Sequence, residues 1–215
     1  MGNGHRQHGA CLGQVEPLLR PGGGTGHQGG VRAVSNGFYE LKVAGLTRAL
    51  PKVKVSENLI IASFVMLGDT ELVEKTAEDL ASRLPAGRID MLVCLEAKGI
   101  PLTHSIARRL GVNYVTVRKS VKSYMEEPLV EEVLSITTQG KQILVLDGVD
   151  RKKIEGKRVC VVDDVVSTGG SLRAVQSLLE KAGAEVVCKA AVLLEEGGYD
   201  GSDLVFLERL PVFPL

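Results

Sequence analysis

The stretch VCVVDDVVSTGGS, residues 159–171, constrains this chain more than any other. Its opening run is apolar at every position, as in a strand buried on both faces of a parallel sheet. Two acids, Asp163 and Asp164, close a strand predicted over 157–163. A turn of small residues, Ser167, Thr168, Gly169, Gly170 and Ser171, leads into a helix over 172–182, with Leu172, Val175, Leu178 and Leu179 on one face. Glycine lets main chain approach a ligand closely, and the first turn of a helix leaves N–H donors unpaired. Those donors and the positive helix end favour a phosphate. Carboxylates beside such an anion would repel it unless they serve sugar hydroxyls, a metal ion or a developing positive charge.

The flanking chain supplies the rest of such a sheet. Apolar runs predict strands over 39–44, 59–66, 91–95, 114–117 and 185–194. Asp69 is placed to cap a helix running to about residue 84, and a second helix over 102–110 stops at Gly111. Residues 119–131 are charged, contain Pro128 and lack a period, which reads as a mobile loop. The segments 133–138 and 142–147 read as a hairpin turning at Gln139-Gly140. Strands alternating with helices predict an α/β fold, a parallel sheet with helices on both faces. Ligands of such sheets sit beyond the carboxyl ends of the strands, where the strand order reverses.

Residues 1–36 differ in texture, with ten of the 25 glycines and three of the four histidines. Apolar residues there are sparse and aperiodic, so the segment is expected to be disordered, with the folded domain at 37–215. Lys+Arg and Asp+Glu both number 26, a balance that argues against a nucleic-acid binder and gives no attraction to a membrane surface. No stretch has the length of a membrane span and no secretory h-region opens the chain, so a cytoplasmic protein is expected. Cys11, Cys94, Cys160 and Cys188 form no Cys-x-x-Cys pair; three lie in apolar runs and read as reduced core residues.

VVDDVVSTGGS resembles the phosphoribosyl-diphosphate motif of the type I phosphoribosyltransferases. That resemblance implies that Asp163 and Asp164 hold the ribose hydroxyls as catalytic residues, and that Val166, Ser167, Thr168, Gly169, Gly170 and Ser171 hold the 5-phosphate. Glu96, Ala97, Lys98 and Gly99 follow the strand at 91–95. They are similar to the Glu-Ala-Arg-Gly diphosphate loop of the adenine phosphoribosyltransferase branch, with Lys98 in place of the arginine, which keeps the charge and loses the planar fork. Arg118 and Lys119, followed by Lys122 and Tyr124, resemble the same branch's entry into a flexible lid. In one place the chain departs from it. The branch carries a glutamate late in the loop, in a Leu-Glu-Tyr-Gly context, whereas residues 135–140 here read SITTQG; Glu131 and Glu132 stand a few positions earlier.

The resemblance therefore implies a homodimeric purine phosphoribosyltransferase, adenine favoured, that takes 5-phosphoribosyl 1-diphosphate and a nucleobase. Mg2+ would be carried mainly by the diphosphate, with no protein metal cage. A hood over the base would come from residues 38–66 and 195–215, where Phe38, Phe64 and Phe213 are available to stack, although a core role accounts for them better. The alternatives are a 6-oxopurine or pyrimidine as acceptor, or a non-catalytic regulator that senses the sugar diphosphate.

Overall fold

The computed structural model describes residues 37–134 and 141–215. The glycine-rich segment 1–36, the Gln139-Gly140 turn and the stretch 135–140 lie outside the described residues.

A five-stranded, all-parallel sheet forms the centre: β4 (Met91–Leu95), β5 (Asn113–Val117), β8 (Arg158–Val166), β9 (Glu185–Glu195) and β10 (Val205–Leu210), in the order β10-β9-β8-β4-β5. Elements between them are a hairpin of β6 (Leu129–Leu134) and β7 (Lys141–Leu146), and a short helix α3 (Gly148–Ile154). The helices α1 (Thr70–Arg83) and α2 (Gly99–Leu110) cover one face. There Leu72, Leu80, Leu102 and Ile106 pack with Leu92, Cys160 and Val162. The helix α4 (Gly170–Lys181) covers the other, where Leu172, Val175, Leu178 and Leu179 pack with Val93, Val159 and Val161. Alternate residues of β8 thus enter separate cores, so its run from Val159 to Val162 is apolar at every position.

A second, antiparallel sheet, β1 (Phe38–Val43), β2 (Leu46–Ser56), β3 (Leu59–Ala62) and β11 (Val212–Pro214), joins the two ends of the domain. It takes up parts of the two segments expected to form the hood, but β10, at 205–210 in the second of them, joins the central sheet instead. Of the three aromatics there, Phe64 is core. Phe213 packs against Tyr39, with Lys52 over its ring at 4.1 Å, and Phe38 is 67 % exposed. Cys94, Cys160 and Cys188 are free thiols, the first two buried. Among the described residues no helix is long and apolar enough to cross a membrane.

Several boundaries differ from the sequence expectation, each for a physical reason. β8 continues three residues past Asp163, because Val165 and Val166 pair with Leu193 and Leu194; both acids therefore lie inside the strand. α2 begins at Gly99 rather than 102, since Pro101 falls in the first turn, where its missing N–H costs nothing. The first hairpin strand begins at Leu129 rather than 133, pairing Leu129 with Leu146, so the expected loop is shorter. Its charges masked it: the Glu131 carboxylate accepts from Ser177 and Lys181 on α4 instead of facing solvent. β2 carries Pro51 and three lysine or arginine side chains, α3 has little apolar content, and β10 is a half-exposed edge; none shows a clear period.

Asp69 caps α1 as the sequence implies. Its carboxylate accepts from the Leu72 N–H at 3.0 Å and from Arg48 of β2 at 2.7 Å, which holds its pKa below the ordinary 3.8, the Arg48 bond first. Asp69→Ala is expected to cost about 1 kcal/mol and to lower the midpoint of thermal unfolding by about 2–4 °C. Because the folded-state pKa is depressed, the stabilisation is present above pH 4 or so and fades below it, so the difference from wild type should shrink on acidification. Calorimetry at neutral and acid pH checks both.

Candidate active site

The chain leaves β4 towards β5 on one side and β8 towards β9 and β10 on the other, so the strand order reverses between β4 and β8. The segments that leave these two adjacent strands are the two predicted from the sequence.

In β8, Asp164 is 6 % exposed, and its Oδ2 is buried without a hydrogen-bond partner. The Asp163 Oδ1 accepts from the Asp164 N–H at 2.9 Å. Burial, then the neighbouring Asp164 charge, pushes the Asp163 carboxyl from its ordinary 3.8 up to about 8, while the Lys119 charge works against the rise. Gly99, the first residue of α2, lies against the pair: a Cβ there would stand 3.4 Å from the Val162 carbonyl oxygen and 3.6 Å from the Asp163 Cα.

Beyond the acids the chain turns through Ser167 and Thr168 into Gly169, whose φ of +73° belongs to the left-handed region. No side chain caps α4. Its first amides are therefore available to a ligand, apart from a 3.4 Å contact of the Gly170 N–H with Thr168 Oγ1. Asp163, Val165, Val166, Ser167, Thr168, Gly169, Gly170, Ser171 and Leu172 line a cavity of about 60 Å³. That size suits a tetrahedral anion better than a base.

After β4, the Glu96–Ala97 peptide is cis. The Glu96 carboxylate accepts from Arg118 Nη1 at 3.2 Å and from the Lys119 N–H at 3.2 Å; the Lys119 amide is the larger cause of its lowered pKa. Glu96 thus ties the exit of β4 to the exit of β5, with its negative charge directed at protein donors. Ala97 and Lys98 are exposed. Further on, Lys122 Nζ donates to Ser120 Oγ at 2.6 Å and Tyr124 is 65 % exposed; neither lines the cavity at the turn. Glu131, one of the two acids a few positions before 135–140, is bound to α4, as described above.

Sequence reasoning missed Tyr199. Its N–H donates to the Ser167 carbonyl at 2.8 Å, and its ring occupies the space a Cβ on Gly169 would need. The run Gly197-Gly198-Tyr199-Asp200-Gly201, directly after a strand, was the available signal.

A parallel sheet flanked by helices, with an acid pair and a glycine turn where its strand order reverses, defines the doubly wound α/β class, which takes ligands at that edge. A family model described as a phosphoribosyl transferase domain matches residues 66–204. An adenine phosphoribosyltransferase of Corynebacterium jeikeium is 35 % identical over 148 residues, 69 % of this chain and 69 % of that protein. A hypoxanthine/guanine phosphoribosyltransferase of Methanococcus voltae is 37 % identical over 161 residues, 69 % of this chain and 80 % of that protein. The crystal structure of adenine phosphoribosyltransferase from Thermoanaerobacter pseudethanolicus superposes with a TM-score of 0.58 at 30 % identity, covering 67 % of this chain and 84 % of that one. The chain belongs to the phosphoribosyltransferase family, with the type I fold.

Proposed function

We propose that this protein transfers the 5-phosphoribosyl group from 5-phosphoribosyl 1-diphosphate to a ring nitrogen of a purine, adenine favoured, and releases diphosphate. The observation that carries the reading is a turn of free amides whose cavity Asp163 lines, next in sequence to an Asp164 Oδ2 that is buried without a partner. A buried acceptor without a donor is costly, and a ribose hydroxyl is a donor of the right kind, tethered to a phosphate that suits the turn.

In the reaction the anomeric carbon–oxygen bond to diphosphate breaks, a carbon–nitrogen bond to the base forms, and the proton of that nitrogen departs. Amides of the turn anchor the 5-phosphate, so binding energy far from the reacting carbon positions it. Asp163 and Asp164 orient the ribose and stabilise the positive charge it gains. Gly99 allows the first turn of α2 to lie against the pair, and no side chain caps that helix, so its first amide and the exposed Lys98 are available to the diphosphate. Arg118 and Lys119, held by Glu96, add positive charge on the same side.

Magnesium, when bound, neutralises the diphosphate. Among the described residues no cluster of three or more ligand side chains could hold the ion alone. The Asp163–Asp164 pair fits an ion that takes most of its oxygens from substrate. The reading extends to a cytoplasmic homodimer, which sedimentation of the purified protein tests for assembly.

A 6-oxopurine is the second reading, favoured by the likeness to the Methanococcus voltae protein. Diphosphate release measured with magnesium and adenine, hypoxanthine, guanine or xanthine in turn separates them. Release with adenine is the expected result, and release with hypoxanthine or guanine alone moves the acceptor to the second class. Tight binding of the sugar diphosphate with no turnover of any base would make the protein a sensor.

A further inference from the structure

We infer that residues 196–203 form a strap that aims the amides of the glycine turn, with Tyr199 as its positioning residue. The inference deepens the phosphoribosyl-diphosphate reading above and rests on it.

A trans peptide points its C=O and N–H in opposite directions, so fixing one carbonyl aims the next amide. The Ser167 carbonyl accepts from the Tyr199 N–H at 2.8 Å, and the Thr168 carbonyl accepts from Arg173 Nη2 at 3.0 Å. Neither Tyr199 nor Arg173 lines the cavity at the turn. The two carbonyls are therefore drawn away from the cavity, and the amides of Thr168 and Gly169 are turned towards it.

The strap lies flush against the turn because Gly198 has no side chain. A Cβ there would overlap the Ser167 carbonyl oxygen and come within 3.2 Å of the Thr168 nitrogen. The Tyr199 ring in turn fills the space beside Gly169, with the Arg173 guanidinium 6.0 Å from its centroid. At the far end, the Tyr199 hydroxyl donates to Asp203, whose other oxygen accepts from Lys189 Nζ at 2.5 Å. Lys189 stands on β9 with its side chain 11 % exposed. The ring is thus held by main chain at one end and by the central sheet at the other. Such rigid support is what a preorganised anion site requires, since amides already aimed need no reorganisation when the ligand arrives.

Titration with ribose 5-phosphate, followed by calorimetry, tests the strap in the full-length protein. Tyr199→Ala should weaken binding about tenfold, on the scale of one charge-assisted hydrogen bond lost or misdirected. Tyr199→Phe, which keeps the ring and the main-chain bond, should recover most of it. Arg173→Gln, a change at an exposed position, should also weaken binding while leaving the thermal midpoint close to wild type. In turnover, the KM for the sugar diphosphate should rise in Tyr199→Ala while that for the base stays put. If the wild type binds ribose 5-phosphate and both Tyr199→Ala and Arg173→Gln bind it equally well, the strap is overturned and the functional reading stands. If the wild type itself fails to bind, the reading falls and the strap with it.

Discussion

Gly169→Val should abolish capture of the 5-phosphate and raise the KM for the sugar diphosphate by at least about a hundredfold, since each factor of ten needs only about 1.4 kcal/mol. Two separate costs act at this position. A φ of +73° is a genuine outlier for a β-branched residue, and holding it costs on the order of 1–3 kcal/mol. The new side chain would also meet the Tyr199 ring, and its Cβ would stand 2.9 Å from Arg173 Nη1. The turn can relieve the backbone strain only by rotating the peptides whose amides would form the proposed anion site. Gly170→Ala is the contrasting case. Its φ is not positive, and a Cβ there would touch only Thr168 Oγ1 at 3.5 Å, so it should lose far less affinity. Equal losses in the two variants would show that bulk at the turn, and not its geometry, decides binding. Normal binding by Gly169→Val would remove the turn from the site altogether.

Asp164→Asn is expected to lower kcat by about 100- to 1000-fold, the loss typical when one preorganised group that stabilises transition-state charge is removed. The fold should survive, because the change is isosteric and removes a buried charge. Its position inside β8, between Asp163 and the Val165–Leu193 pair, means that the carboxylate is held by the sheet and not by a loop. The amide can present a donor where the unpartnered Oδ2 now offers an acceptor, the one the proposed function gives to a sugar hydroxyl. Single-turnover measurement should place most of the loss in the chemical step. A variant with wild-type kcat and KM would refute the role.

The companion change, Asp163→Asn, separates function from stability. The Asp163 carboxyl is raised from 3.8 to about 8 by burial and then by Asp164. A folded-state pKa above the unfolded one contributes stability that is complete below about pH 4 and is lost as pH rises through about 8. Asp163→Asn carries no such loss, so its thermal midpoint should exceed that of the wild type at neutral and alkaline pH. The gap should close towards pH 4. A gap that widened on acidification would reverse the assignment.

The central sheet, the acid pair and the glycine turn were legible in residues 159–171, because a strand buried on both faces must be apolar throughout and acids within it stand out. The loop at Glu96 was legible by its place between a short apolar strand and a helix. By contrast, β2, α3 and the central sheet's edge strand β10 were not, since each buries few side chains and carries no clear period. Glu131 read as loop charge because its partners, Ser177 and Lys181, lie about fifty residues away in sequence.

What the sequence by itself determined was the local chemistry: which residues offer amides, carboxylates and cations, and on which element each begins. Tertiary structure alone decided their alignment. It placed β4 beside β8, so that two separate loops share one edge, and it turned the Glu96 carboxylate onto Arg118 and Lys119. It also set Tyr199 behind the turn, more than thirty residues after Ser167, with a hydrogen bond that no local pattern announces. The physical reason is range. Propensity and periodicity act over a few residues, whereas the aim of an amide depends on whatever the folded chain brings to the opposite side of its peptide.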